Sequence, residues 1–157
     1  MNVIFDKYGE AYQIAVSDDL GPSFHIRFQN PNIQPGFIGN ANFLWEDEET
    51  LLLADIRLND KAIIVYRRTG LFWRFRKVRR EEKNFQHIGL GTALLKNALE
   101  YVKQMGIKKV VGKIKRHDFE KNPNLPRWYA GMGFSVTMEI EPSAVVARIS
   151  KQLVSIA

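Results

Sequence analysis

The chain has 157 residues, of which 45% are hydrophobic, enough length and apolar content for a single globular domain over 1–157. It contains no cysteine, and its three histidines, His25, His87 and His117, are scattered. We therefore expect neither disulfides nor a metal site. The amino terminus has no basic stretch followed by an apolar run, and no segment is apolar over the roughly 20 residues that span a bilayer. These features predict a cytoplasmic protein.

The net charge of +6 is concentrated in one part of the chain. Residues 61–83 contain nine Lys or Arg and two Glu, a local charge of +7, which leaves the remainder near −1. A uniformly basic surface would indicate general affinity for polyanions, whereas a single basic cluster indicates one anionic partner or a solvated loop.

The first half of the chain has the pattern of short strands separated by turn formers. These predicted strands are Tyr12–Val16, Phe24–Phe28, Phe37–Trp45 and Leu51–Leu58. Their order predicts an antiparallel meander. From Gly89 the apolar residues recur at three- and four-residue intervals up to Met105, and Gly106 follows, which predicts a long amphipathic helix.

The second half alternates strands with helices. It contains a strand at Ile107–Ile114, a polar connection, a short helix at Leu125–Met132, and strands at Phe134–Ile140 and Val145–Leu153. Two strands joined through a helix pair in parallel, while a meander pairs antiparallel. The sequence therefore predicts an α/β (α+β) fold with a mixed sheet and two main helices.

A glycine-containing turn leads directly into the long helix. Residues 86–92, which we call the phosphate turn, read Gln-His-Ile-Gly-Leu-Gly-Thr. The first turn of a helix offers N–H groups and a positive dipole end, and glycine lets a pyrophosphate approach the backbone. Leu94 stands where a dinucleotide fingerprint needs Gly or Ala, and no Gly-Lys-Ser/Thr follows. A tight loop without a ligand remains the alternative at this point.

Two stretches resemble motifs of the GNAT superfamily of N-acetyltransferases. Gln86-x-x-Gly89-x-Gly91 is similar to that family's acyl-CoA motif, Arg/Gln-x-x-Gly-x-Gly/Ala, and Tyr129-Ala-Gly-Met-Gly133-Phe134 resembles its Tyr-x-x-x-Gly-Phe. Asn122 stands where the family often has an asparagine that contacts the cofactor. The resemblance covers roughly residues 50–140, and the two motifs together are more specific than either alone.

The resemblance implies a GNAT-like mixed, mostly antiparallel central sheet in which Leu51–Leu58 and Ile107–Ile114 form a splayed parallel pair. It implies acetyl-CoA as the co-substrate and no metal. Main-chain N–H groups of the phosphate turn would bind the pyrophosphate, and one near Ile56–Leu58 would polarise the thioester carbonyl. The implied cofactor-binding residues are Ile56, Arg57, Leu58, Gln86, His87, Ile88, Gly89, Leu90, Gly91, Thr92, Asn122 and Tyr129.

The implied reaction is transfer of an acetyl group to a primary amine by direct attack on the thioester. In the family, the tyrosine that matches Tyr129 protonates the departing CoA thiolate, although a ring at this position can also simply pack on the sheet. An alkyl amine is mostly protonated at neutral pH, so a base, a chain of water molecules or a lowered pKa of the substrate amine is needed. His117 is the first candidate by its reference pKa, beside Asp55, Asp118 and Glu120, and no residue identifies the acceptor.

The chain departs from the family pattern in two places. Residues 59–84 form an insertion, in which Lys61–Tyr66 is either an extra strand or itself the splayed strand, and 67–80 mix cations with aromatic rings. Such a segment suits an anionic partner at 67–80, such as RNA or single-stranded DNA. It could also steer an acidic acceptor such as a protein tail or aminoacyl-tRNA, contact the CoA 3′-phosphate, pack against a partner chain, touch an anionic membrane, or remain a solvated loop. The acceptor itself is a small molecule, a protein or an aminoacyl-tRNA. The pair of helices that usually walls the acceptor site is also missing. A nucleic-acid-binding module and an acyl-CoA sensor without turnover are the alternative functions.

Overall fold

The structure is a computed structural model, and it describes residues 2–30, 32–34, 38–66, 79–141 and 143–153. The strands in chain order are β1 (Asn2–Phe5), β2 (Ala11–Asp18), β3 (Pro22–Phe28), β4 (Ile33–Gln34), β5 (Gly39–Trp45), β6 (Thr50–Leu58), β7 (Ala62–Tyr66), β8 (Arg79–Lys83), β9 (Lys109–Lys115), β10 (Ser135–Met138) and β11 (Val145–Gln152). The helices are α1 (Leu90–Gln104), α2 (Arg116–Lys121) and α3 (Leu125–Gly131).

Eight of these strands form one sheet in the order β1-β2-β3-β5-β6-β9-β11-β10, and β4, β7 and β8 form a second. β6 pairs with β9 in parallel, from Thr50 opposite Lys109 to Leu53 opposite Gly112. β11 lies between β9 and β10 and is antiparallel to both. The predicted mixed, mostly antiparallel sheet with one parallel pair is confirmed.

The parallel pair separates part of the way along its length. The pairing of β6 with β9 ends at Leu53 and Gly112, whereas β6 continues to Leu58 and β9 to Lys115. The pairing also decides which strand is splayed. β6 is the partner of β9, and β7 pairs with β4 and β8 instead, so Lys61–Tyr66 is an extra strand and the alternative that made it the splayed strand is wrong.

The predicted elements coincide with observed ones except in a few short segments. The predicted polar connection after β9 is wrong, because residues 116–121 form α2. This helix is six residues long and buries none of them, so it has no apolar period that would reveal it in the sequence. β1, β4 and β8 were not predicted either. Residues 67–78, the centre of the basic aromatic insertion, lie outside the described part of the chain.

The chain divides into two compact units. Unit 1 comprises Met1–Ser17, Ser23–Ala41 and Ile56–Asn97, and unit 2 comprises Asp18–Pro22, Asn42–Asp55 and Ala98–Ala157. The single domain expected over 1–157 therefore stays a prediction.

Unit 1 contains a cluster of three aromatic rings, one of which is bonded to a buried carboxylate. Tyr12, Phe28 and Phe85 pack with ring centroids 5.4 to 6.3 Å apart. The Tyr12 hydroxyl donates to Oδ2 of Asp6 at 3.2 Å and accepts from Nζ of Lys83 at 3.3 Å. Asp6 is only 7% exposed, so this hydrogen bond lies in a region where an unsatisfied carboxylate oxygen is costly.

Unit 2 is organised around the parallel pair and the helices that follow it. Along β9, Val110, Gly112 and Ile114 are buried in alternation, as expected for a strand with one face in the core. Tyr129 of α3 packs edge-on against Phe134, with ring centroids 5.5 Å apart. Nζ of Lys151, on β11, donates to the Met132 carbonyl at 2.6 Å and so ties the end of α3 to the sheet.

Replacing Tyr12 by Phe tests the buried hydrogen-bond cluster of unit 1. We expect Tyr12→Phe to lower the free energy of unfolding by about 1–3 kcal/mol, because the buried Asp6 carboxylate loses a donor. Tyr66→Phe is the matched control, since its hydroxyl bonds the exposed Glu81 carboxylate, and it should lose less than about 1 kcal/mol. Urea unfolding measures both. Equal losses of unfolding free energy in the two variants would contradict a larger stabilising effect of the buried Tyr12–Asp6 hydrogen bond.

Candidate functional site

The phosphate turn follows β8, includes the first three residues of α1, and takes at Gly89 a conformation that favours glycine. Gly89 has φ of +88° and is exposed, and a Cβ placed there would come no closer than 3.7 Å to its nearest neighbour, the Lys7 nitrogen. Its carbonyl accepts the hydrogen bond from Ala93 N–H at 3.1 Å, so Gly89 begins α1. His87 also has a positive φ, +59°. The turn therefore presents an open backbone at the helix start.

Hydrogen bonds attach this turn to two other parts of unit 1. Nε2 of Gln86 donates to the Leu58 carbonyl at 3.2 Å, at the end of β6. The Lys7 N–H donates to the Ile88 carbonyl at 2.8 Å. The predicted cofactor residues Gln86 and Leu58 are thus brought into direct contact. The Gln86 side chain is turned toward β6, which makes it a support of the turn.

The start of α1 is electrostatically suited to an anion. Its first turn contains no acidic residue, although Asp and Glu side chains usually stabilise a helix at this end. The first N–H groups of a helix have no intrahelical partner and carry the positive end of its dipole. Leu90 is fully buried, so its contribution to a ligand would come from its backbone, while Gly91 and Thr92 are half-buried. The residues present fit a phosphate group bound by main-chain donors.

The β6 residues predicted to face the thioester lie beyond the point at which the parallel pairing ends. Ile56 and Leu58 are half-buried and Arg57 is exposed. Beyond the point where the two strands separate, the backbone groups of β6 are not used in hydrogen bonds to β9. This is the arrangement that a main-chain oxyanion contact needs.

Tyr129 lies on α3 in unit 2 and is 7% exposed. Burial raises the pKa of its phenol well above its ordinary value, and the negative charges of Asp118 and Asp55 raise it further. Tyr129 therefore stays protonated throughout the neutral range and is a donor. The proximity of these two carboxylates to Tyr129 was not anticipated from the sequence, since neither spacing nor period connects β6 and α2 with α3.

Asn122 ends α2 and joins it to α3. Its N–H donates to the Asp118 carbonyl at 2.9 Å, and its Oδ1 accepts from Asn124 N–H at 3.2 Å. The side-chain oxygen therefore has a local structural role. The side-chain NH₂ group and the second lone pair of Oδ1 are the groups that could make the cofactor contact implied by the resemblance.

The candidate base His117 is exposed on α2, as are Asp118 and Glu120. Asp55 is half-buried on β6. No group of three His, Asp or Glu that could hold a metal ion occurs within the described residues. In that same part of the chain, no helix is long and apolar enough to cross a membrane.

The anionic partner predicted at 67–80 can be assessed only at the end of the segment, because 67–78 lie outside the described ranges. Arg79 stacks over the Tyr66 ring, with its guanidinium 4.9 Å from the centroid, and pairs with Glu81 at 3.5 Å. Arg80 is exposed. The charge of Arg79 is thus partly compensated by its own strand.

Comparisons with known proteins find solved structures of similar fold, but no match by sequence. No protein-family model matches the chain, and no curated protein matches its sequence. A Bacillus subtilis acetyltransferase solved in complex with CoA is similar to it with a TM-score of 0.58 at 11% identity, covering 91% of this chain and 99% of that one.

Two further solved structures have the same architecture. The ribosomal-protein-S18-alanine N-acetyltransferase from Escherichia coli gives a TM-score of 0.52 at 14% identity, covering 96% of this chain and 75% of that one. A GNAT-family protein from Desulfovibrio desulfuricans gives 0.51 at 17% identity, covering 85% and 69%. At these identities the likeness establishes the fold.

The electrostatic environment of Tyr129 can be tested by titration. We expect Asp118→Asn to lower the pKa of Tyr129, because a nearby negative charge that opposes formation of the phenolate is removed. Glu120→Gln, on the same helix, should leave this pKa unchanged. NMR of ring-labelled tyrosine measures both, with Tyr129→Phe to assign the signal. Ionisation of Tyr129 at the ordinary tyrosine value of about 10 would contradict the account.

Proposed function

We propose that this chain, which has the fold of the GNAT superfamily, is an N-acetyltransferase that moves an acetyl group from acetyl-CoA to a primary amine. The observation that carries the proposal is the phosphate turn. An exposed glycine at φ +88° begins α1, no acidic residue occupies the first helical turn, and Gln86 ties the turn to the end of β6.

The cofactor would be bound mainly by backbone. Main-chain N–H groups of residues 87–92 would donate to the pyrophosphate, since N–H donors at a helix start suit its charge. The Gln86 N–H already donates to Oδ1 of Asn84 at 2.8 Å, so this residue contributes by supporting the turn. A main-chain N–H in Ile56–Leu58 would donate to the thioester carbonyl oxygen as negative charge develops there. When bound, acetyl-CoA supplies the activated acyl group as a thioester. The separation of β6 from β9 after Leu53 supports this placement, because β6 is then free of that neighbour.

The acceptor is proposed to be a primary amine that approaches in its ammonium form. The charges of Asp55 and Asp118 both act on Tyr129, so an ammonium group that approached this residue would meet two carboxylates that attract it. The amine must lose a proton before it attacks. His117, Asp55, Asp118 and Glu120 stay the predicted candidates for the base, with the two carboxylates near Tyr129 now supported by their electrostatic effect on it.

Tyr129 is proposed as the group that serves the departing thiolate. As the amide C–N bond formed and the C–S bond broke, the Tyr129 hydroxyl would donate a hydrogen bond, and then its proton, to the sulfur that leaves with the electron pair. The reference pKa of a phenol is roughly 1.5 units above that of a thiol, so the proton transfer is uphill. Burial raises the pKa of Tyr129 and widens this difference. We therefore propose that its main contribution is the hydrogen bond donated while charge develops on the sulfur.

The neighbours guide the choice of acceptors to test. One of them is named a ribosomal-protein-S18-alanine N-acetyltransferase, so a peptide with a free amino group on alanine is a rational first acceptor. Polyamines and aminoacyl-tRNA complete the panel. A nucleic-acid-binding role for the insertion stays a prediction, because 67–78 lie outside the described residues.

Tyr129→Phe separates turnover from binding. With an acceptor found in the panel, we expect the variant to lower kcat about 100-fold or more, because the donor to the thiolate is lost. The dissociation constant for acetyl-CoA should stay unchanged, since the ring still packs against Trp128 and Phe134. Release of free CoA thiol measures the rate, and calorimetry measures binding.

Tyr66→Phe is the matched control for that experiment, as it also removes a phenol hydroxyl whose pKa burial raises, and it should keep the wild-type rate. Unchanged kinetics in Tyr129→Phe would refute the acid role. A wild-type protein that binds acetyl-CoA but acetylates no acceptor in the panel would favour the sensor alternative.

A further inference from the structure

The turn between β1 and β2 is built around one buried carboxylate. Oδ1 of Asp6 accepts hydrogen bonds from the N–H groups of Tyr8 at 2.8 Å and Glu10 at 3.0 Å, and Oδ2 accepts from the Tyr12 hydroxyl. The Asp6 backbone adds two more bonds, to the Glu10 carbonyl and from Gly9 N–H, both at 3.1 Å. Asp6 is 7% exposed, so the conformation of residues 7–9 is strongly determined.

This hairpin contacts the phosphate turn directly. The Lys7 N–H donates to the Ile88 carbonyl at 2.8 Å, immediately before the glycine that begins α1. The nitrogen and Cβ of Lys7 are also the nearest atoms to the open position at Gly89, at 3.7 and 4.0 Å from where a Cβ would stand. The start of the Lys7 side chain is therefore beside the backbone that the proposed function assigns to the pyrophosphate.

The ammonium group of Lys7 has only a weak partner. It lies over the ring of Tyr8, 5.1 Å from the centroid, and Tyr8 is 76% exposed. Within the described ranges no carboxylate lies at ion-pair distance from it. A cation–π contact at so exposed a site is weak, so the side chain is easily redirected toward an anion.

We propose that Lys7 is a phosphate-binding residue of the cofactor site, with Asp6 as the residue that positions the hairpin bearing it. Lys7 would add a mobile side-chain cation to a set of donors that otherwise belongs to the backbone. The ligand class is a phosphate ester of the acyl-CoA, either its pyrophosphate or its 3′-phosphate. The inference rests on the proposed function, because it identifies a further contact of the same cofactor.

The test compares three ligands in calorimetric titrations: CoA, 3′-dephospho-CoA and pantetheine, which has no phosphate. Lys7→Gln should weaken CoA binding about tenfold, as expected for one charge-assisted hydrogen bond, and should leave pantetheine binding unchanged. Lys7→Arg should restore most of the affinity. Lys96→Gln removes an exposed charge from α1 and should change CoA binding by less than about twofold.

The dephosphorylated ligand identifies the group that is bound. If Lys7→Gln weakens 3′-dephospho-CoA as much as CoA, the partner is the pyrophosphate, and if the loss disappears, it is the 3′-phosphate. CoA binding unaffected by Lys7→Gln, or an equal loss with pantetheine, would overturn the inference while the proposed function stands. A wild-type protein that binds no CoA would instead overturn the proposed function itself.

Discussion

The arrangement of this protein's candidate site depends on how α1 begins. Gly89 takes φ of +88° without a Cβ to obstruct the helix start, and two hydrogen bonds, from Gln86 to Leu58 and from Lys7 to Ile88, fix the turn in unit 1. Donors arranged in this way need no reorganisation when an anion arrives, which is why backbone can recognise a phosphate without a strongly charged pocket. Every other part of the functional account requires a ligand bound there.

The placement of acidic groups around α1 and Tyr129 fits the roles proposed for them. None occupies the first turn of α1, where a carboxylate would compete with a phosphate. Asp55 and Asp118 instead lie close enough to Tyr129 in unit 2 to raise its pKa beyond the effect of burial. Burial and these two charges keep the phenol protonated in the neutral range, as the donor role proposed for Tyr129 requires.

The elements of the fold that follow a local sequence rule could be predicted from the sequence. The apolar period identified α1, the glycines identified its start, and the strands β6 and β9 were recognised from apolar runs beside turn formers. α2 was missed because a short exposed helix has no apolar period. The bond from Lys83 to Tyr12 joins residues 71 positions apart, and no spacing rule connects them. Lys7 was likewise missed, because its importance comes from a contact with Ile88 that only the fold creates.

Binding of acetyl-CoA to the purified protein, followed by calorimetry, tests the central claim most directly. The account predicts saturable micromolar binding that Gly89→Ala/Gly91→Ala abolishes. Gly106→Ala is the matched control, because Gly106 ends α1 with φ of +90° and has no atom within 4 Å of an added Cβ, so it imposes a similar backbone strain at the other end of the helix. The control should bind normally. Absence of binding up to millimolar acetyl-CoA would contradict the account.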